Sequence, residues 1–142
     1  MEVGVLGLGA SGKTTLFNLL CGNGHGADRG VRRGTAARGV ARVPDPRLDR
    51  LSGMYAPKKT TPATVQYVEV PGIPEEQRDE EALNIPELRA VDVLMIVLRA
   101  FESPAVPHPM GSVDPVRDVR FVEEELILQD QLVVERRLER LE

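Results

Sequence analysis

The sequence predicts an α/β fold, a mostly parallel sheet with helices on its faces. Three observations carry that prediction. Gly7-Leu8-Gly9-Ala10-Ser11-Gly12-Lys13-Thr14 fits the pattern G-x-x-x-x-G-K-[ST] in full. It lies between a short apolar run, Val3-Gly4-Val5-Leu6, and a helix-like run, Thr15 to Leu20. Val93-Leu94-Met95-Ile96-Val97-Leu98 is continuously apolar, as a parallel strand covered on both faces requires.

The first element is a buried strand over Val3 to Leu6, then a glycine-rich turn, then a helix whose first turns are Thr15 to Leu20. Such a turn leaves consecutive backbone N–H groups unpaired and aimed at one spot. With the positive end of the helix dipole they form an anion nest, the P-loop. Gly7 and Gly12 are expected because a Cβ would block the approach of backbone to phosphate. Gly9, Ala10, Ser11 and Thr15 complete the cradle. Lys13 is placed to reach β- and γ-phosphates, and the Thr14 hydroxyl to bind Mg²⁺.

From Cys21 to Val43 periodicity dissolves into loop composition. Five arginines, Arg29, Arg32, Arg33, Arg38 and Arg42, fall there. They read either as a basic loop 29–42 facing phosphates or RNA, or as a solvated loop in an arginine-rich chain. Asp45-Pro46 starts a short helix, N-cap then first helical position, with Leu48, Leu51 and Met54 as its apolar spacing. Thr64 to Val70 reads as a strand that ends at Pro71-Gly72. Glu75 to Glu81 is acidic and expected to be solvated, and Leu83 to Ala90 is expected as a short helix limited by Pro86. After the Val93 strand, Asp114-Pro115 starts a helix that no Gly or Pro interrupts up to Glu142. It is about 27 residues and about 40 Å long. Val119, Val122, Leu126 and Val133 give it one apolar stripe, and Val134, Leu138 and Leu141 a second, heptad-like one that no later helix covers.

Composition bounds the function. The chain has 142 residues, 42% of them hydrophobic, enough for one core, and a net charge of −4. No apolar run approaches the length of a membrane span, and Met1-Glu2 opens no secretory signal. Cys21 is the single cysteine, so an intrachain disulfide is excluded and a cytoplasmic location is expected. His25 and His108 stand apart with no cysteine cluster, which argues against a zinc site. The 18 basic residues divide into three lysines and fifteen arginines.

Beyond the P-loop, further segments carry a resemblance. Val43-Pro44-Asp45-Pro46-Arg47-Leu48, Pro57-Lys58, Pro62-Ala63-Thr64, Arg99-x-Phe101-Glu102, and His108 with Gly111 and Val113-Asp114-Pro115 fall in one order and spacing. With these the sequence resembles the YchF or Obg-like ATPase family, a branch of the translation-factor-related P-loop GTPases, over nearly its whole length. The resemblance implies an incomplete G-domain-like P-loop fold, a three-layer sandwich, over 1–114, and over 115–142 a helix leading into a coiled-coil arm. It implies GTP or ATP as ligand, Mg²⁺ as cofactor, slow hydrolysis acting as a switch, and association with the ribosome or RNA through loop 29–42 and the arm.

Several positions depart from the family pattern. Its D-x-x-G is Glu69-Val70-Pro71-Gly72 here, so Glu69 is the expected Mg²⁺-proximal carboxylate and Gly72 the expected γ-phosphate contact. Ile73 follows, apolar as in that family, and cannot orient water by a hydrogen bond. Ala10 stands where the family has Asn. The switch threonine has no clean match; Thr35 is the nearest oxygen and the expected third metal ligand. Asn84-Ile85-Pro86-Glu87 fits the letters of the base-recognition motif but precedes the Val93 strand, the wrong place in the sheet order. The sequence ends before the strands that would carry base recognition, which fits either a fragment of a longer protein or a truncated gene product. No residue is expected as a catalytic base. The alternative expectation is a hydrolysis-incompetent module that binds nucleotide, RNA or the ribosome. The uncovered stripe also leads to an expected homodimer through the C-terminal helix.

Overall fold

The computed structural model describes residues 1–22, 36–73 and 86–141. A four-stranded sheet is built from β1 (Glu2–Leu6), β2 (Ala37–Arg42), β3 (Thr64–Glu69) and β4 (Val93–Ile96), in the order β2-β3-β1-β4. β1 runs parallel to β3 and β4, and β2 is antiparallel to β3. Three helices join it: α1 (Lys13–Cys21), α2 (Pro46–Tyr55) and α3 (Pro115–Glu139).

The pleat explains the layering. Val3 pairs with Tyr67 and Gly4 with Val68, so Tyr67 and Val68 face opposite sides. On the Tyr67 side Phe17 and Cys21 of α1 pack with Ala37. On the other side Leu6, Val68 and Val70 pack with Phe121 and Val122 of α3, and Leu126 adds to the edge of this core. The first three turns of α3 thus hold to the sheet. The rest projects, with Val133, Val134, Leu138 and Leu141 all exposed. The apolar stripe over Val119 to Val133 is therefore only partly inward: Val122 is fully buried and Val133 exposed, and Phe121, outside that stripe, adds a second buried contact.

Three expectations are corrected. The region read as loop up to Val43 contains β2, an edge strand whose inward residues Ala37 and Gly39 are too small to give an apolar signal. Its outward Arg38 pairs with Glu2 at 2.9 Å, so this arginine is not part of a free basic loop. Arg29, Arg32 and Arg33 lie outside the described residues, as does the acidic run 75–81. β4 is not covered on both faces: Val93 is 47% and Leu94 39% exposed, because the strand lies at the sheet edge and pairs only with β1. Of the helix expected over Leu83 to Ala90, the described part is a 3₁₀ turn at Pro86–Arg89.

Both proline-led helix starts take the expected form. Asp45 accepts from Arg47 N–H at 2.9 Å, and Asp114 accepts from Val116 and Arg117 N–H at 3.2 and 3.1 Å. Among the described residues no helix is long and apolar enough to cross a membrane.

Candidate functional site

The parallel strands β1, β3 and β4 all deliver their C-terminal ends to one edge, and the glycine-rich turn follows β1 there. This is where ligands bind in open α/β sheets. Gly12 is the N-cap of α1, in left-handed backbone (φ 98°), and no side chain caps the helix. The first intrahelical bond runs from Leu16 N–H to Gly12 O at 2.9 Å, so the N–H groups of Lys13, Thr14 and Thr15 have no helical partner. The turn is therefore a bare anion nest at the positive end of a helix.

The fold gives two of the glycines reasons of their own, beside the one expected from sequence. A Cβ on Gly7 would lie 2.3 Å from Val97 O, so Gly7 lets the turn pass against the end of β4. A Cβ on Gly12 would meet nothing, and its requirement is the positive φ. Ala10 also has a positive φ, 56°, which an alanine adopts at a cost.

Lys13 is 6% exposed, and its Nζ donates to Leu8 O at 2.6 Å. Burial lowers its pKa from 10.5, and the Glu69 carboxylate opposes that shift. The Thr14 hydroxyl donates to Glu69 Oε1. Gly72 closes the arrangement from the β3 side: a Cβ there would lie 2.9 Å from Gly9 Cα and N and 3.2 Å from Lys13 Nζ. Ile73 is buried, and its N–H donates to Gly7 O at 3.2 Å, so the segment after β3 is zipped onto the turn. Ser11 Oγ is buried with no hydrogen-bond partner among the described residues.

The structure thus brings Gly7, Gly9, Ala10, Ser11, Gly12, Lys13, Thr14, Thr15, Glu69 and Gly72 together around one edge. Thr35 lies outside the described residues. Among those described, no group of three or more His, Cys, Asp or Glu is arranged to hold a metal. The available donors are the Thr14 hydroxyl and the Glu69 carboxylate. These are hard oxygens, and Mg²⁺ typically takes one or two protein oxygens together with substrate phosphates.

One wall of the site was not assigned from sequence. A cavity of about 290 Å³ is lined by Ala10 to Thr15 on one side and by Arg99, Phe101, Ser103 and Val106 on the other. Arg99 is buried and donates to the carbonyls of Phe101 and Val106 at 3.0 and 2.8 Å, folding the segment after β4 beside the P-loop. Its guanidinium lies 5.0 Å from the Phe101 ring centroid. The Arg-x-Phe spacing was the only signal in the sequence for this wall. The same segment continues to His108, which is buried with Nε2 3.0 Å from Asp118 Oδ2 of α3. His108 Nδ1 accepts from Met110 N–H at 3.1 Å, which places the ring proton on Nε2. Arg117 adds bonds to Asp118 Oδ1 at 2.8 Å and to Ser112 O at 2.7 Å. The His-x-x-Gly-x-Val-Asp-Pro motif is thus a clamp on the root of α3.

No protein-family model matches the sequence. The ribosome-binding ATPase YchF of Bacillus subtilis is 34% identical over 145 residues, 99% of this chain and 40% of the relative. An Obg-like ATPase homolog of Schizosaccharomyces pombe is 33% identical over 135 residues, 92% of this chain and 33% of the relative. The solved structure of the Schizosaccharomyces pombe YchF GTPase superposes with a TM-score of 0.67 at 29% identity, covering 99% of this chain and 39% of that one. The chain therefore spans about 40% of the length of the curated relatives it matches. By sequence and by fold, nearly the whole of this chain is similar to a part of the YchF and Obg-like ATPases.

Proposed function

We propose that this chain binds a nucleoside triphosphate, GTP or ATP, together with Mg²⁺, hydrolyses it slowly and uses the cycle as a switch. One observation carries the reading: the uncapped N-terminus of α1, with Lys13, Thr14 and Glu69 gathered beside it. The backbone N–H groups of the turn would hold the phosphates, and Lys13 would exchange Leu8 O for them. Thr14 would hold the cation directly and Glu69 would hold it through water. Mg²⁺ bound there would neutralise charge on the phosphates. Gly72 would offer its N–H to the terminal phosphate. No described side chain stands as a catalytic base, so positioning and charge neutralisation would supply the rate.

The division that goes with this reading is a nucleotide unit over 1–114 and a helical arm from 115 that leads into a coiled coil. The proposed partners are the ribosome or RNA, met in the cytoplasm through loop 29–42 and the arm. Support comes from the ribosome-binding name of the bacterial relatives.

A second reading, a module that binds but does not hydrolyse, is favoured by the carboxylate of Glu69 resting directly on Thr14 and by the buried Ile73. Thermal melting separates phosphate binding from its absence. Ligand at 100 times Kd adds about 2.7 kcal/mol to the native state. At about 3–4 °C per kcal/mol for a chain of this size, Tm rises by about 8–11 °C. Lys13→Ala is expected to remove that rise. No rise with millimolar GTP, ATP or pyrophosphate would refute the site. Single-turnover hydrolysis with Mg²⁺ then decides between the two readings.

A further inference from the structure

α2 is a helix without a core. It has ten residues, none of them buried. An isolated helix of this length is marginal in water, so something local must hold it. Asp45 caps its start, Ala56 N–H donates to Ser52 O at its end, and the Ser52 and Thr60 hydroxyls bond at 2.6 Å. Val43 N–H closes the base on Ala63 O at 2.9 Å. The helix is therefore fixed in place by its own ends, while Leu51, Met54 and Tyr55 remain 51%, 67% and 76% exposed. Leu48, Leu51 and Tyr55 share one helical face, and Pro57 to Thr61 cross it to form a groove of about 220 Å³. That is room for one bulky apolar side chain.

We propose that this groove is a docking surface for a segment of another protein that carries an apolar anchor flanked by acidic residues. Apolar side chains held out on a rigid element, with no internal cover, mark an interaction surface. Met and Tyr are among the residue types enriched at protein interfaces. The charge at the rim selects the partner. Lys59 lines the groove and Lys58 precedes it, both exposed, while Arg50 falls on the opposite face of α2 and Arg47 is paired with Asp45 at 2.8 Å. This patch is basic on a chain whose net charge is −4. Two of the three lysines in the sequence stand side by side here, and the third is Lys13 of the P-loop. The groove is lined mostly by apolar side chains and hydroxyls, with Lys59 as its one charged residue, which suits an apolar side chain beside an acid. RNA would require a track of cations and a stacking platform, and Tyr55 is the one aromatic residue of α2. β2 ends and β3 begins at this pole, opposite the edge where β1 and β3 meet the P-loop. Docking here therefore leaves the nucleotide site open.

The test selects displayed random peptides of about twelve residues on the immobilised full chain. The winners are then titrated as fluorescein-labelled peptides. The expected winners place Asp or Glu around Leu, Ile, Phe or Trp. Tyr55→Ser is expected to weaken them by about tenfold, the loss of one anchoring contact. The double change Lys58→Glu, Lys59→Glu is expected to do the same, and exchange of the peptide acids for Lys to restore binding to that variant. Both variants change exposed side chains, so an unchanged Tm and an unchanged nucleotide-induced Tm shift are expected. Winners without the acidic-apolar pattern, or binding indifferent to both variants, would overturn the proposal. So would a single-stranded RNA oligonucleotide that displaces the winners and itself depends on Tyr55 and Lys58-Lys59.

Discussion

Replacing Glu69 with Asp tests how this chain handles its metal. In the described arrangement the Thr14 hydroxyl donates directly to Glu69 Oε1. Aspartate is shorter by one C–C bond, so the carboxylate retreats by about 1.5 Å. That opens space for a water between carboxylate and cation, which suits an ion that keeps several waters in strict octahedral geometry. Thr14 is exposed and Glu69 partly so. The lost hydrogen bond is therefore assigned about 0.5–1.5 kcal/mol, the ordinary net value rather than that of a buried charged contact. The nucleotide-free chain is expected to lose about 2–5 °C in Tm. The same energy no longer opposes metal entry, so Mg²⁺ is expected to tighten nucleotide binding by a further factor of about 2–10. The assay titrates a fluorescent nucleotide with Mg²⁺ and again with EDTA, and takes the ratio of the two Kd values for each protein. Single-turnover hydrolysis on the same samples is expected to be faster in the variant. A ratio that stays the same or falls would refute the reasoning, because Glu69 would then already sit where the metal needs it.

Four further outcomes are expected. Ala10→Gly relieves the positive φ at position 10 and raises Tm by about 3–4 °C, the equivalent of about 1 kcal/mol, in differential scanning calorimetry. Asp118→Ala removes the carboxylate shared by His108 and Arg117 and costs about 3–5 kcal/mol, read from urea unfolding with an unchanged m-value. The lowered pKa of Lys13 means that the unfolded chain binds the extra proton between the folded value and 10.5; stability contributed by this group therefore rises with pH across that window, and Lys13→Met flattens the rise in alkaline denaturation curves. Exposed Val134, Leu138 and Leu141 lead to a concentration-dependent dimer in sedimentation over a hundredfold range, which Leu138→Glu converts to monomer with nucleotide affinity unchanged; a wild-type chain that stays monomeric throughout, with the last turns of α3 protected from hydrogen exchange, would count against it.

Much of the fold was legible because its signals are local. The P-loop spacing, the Asp-Pro starts of α2 and α3, and the β-branched run of β3 each depend on residues adjacent in sequence. β2 was not legible because its strand character comes from pairing with β3, while its inward positions hold only Ala37 and Gly39. The exposure of Val93 and Leu94 was hidden for a related reason: an apolar run does not reveal its place in the sheet order. At the site, the motif named the residues of the turn but not the packing that also constrains them. The demand on Gly7 comes from Val97 O, ninety residues away in sequence, and no local pattern carries it. The wall formed by Arg99 to Val106 needed tertiary structure for the same reason.

The clamp at His108, Arg117 and Asp118 has a mechanical consequence. One stretch of chain walls the P-loop cavity at Phe101, Ser103 and Val106 and grips α3 at His108, Met110 and Ser112. The P-loop cavity and the root of the helix are thus two ends of a single short linkage. From Asp118 at the grip to Glu139 there are 21 residues, so α3 extends about 32 Å beyond that pivot. A tilt of about 5° at the grip would carry the far tip about 3 Å, roughly the width of an atom with its contact distance. Such a tilt would have to repack Phe121 and Val122 against the sheet, and it would turn a small displacement beside the P-loop into a larger one at the exposed end of the helix.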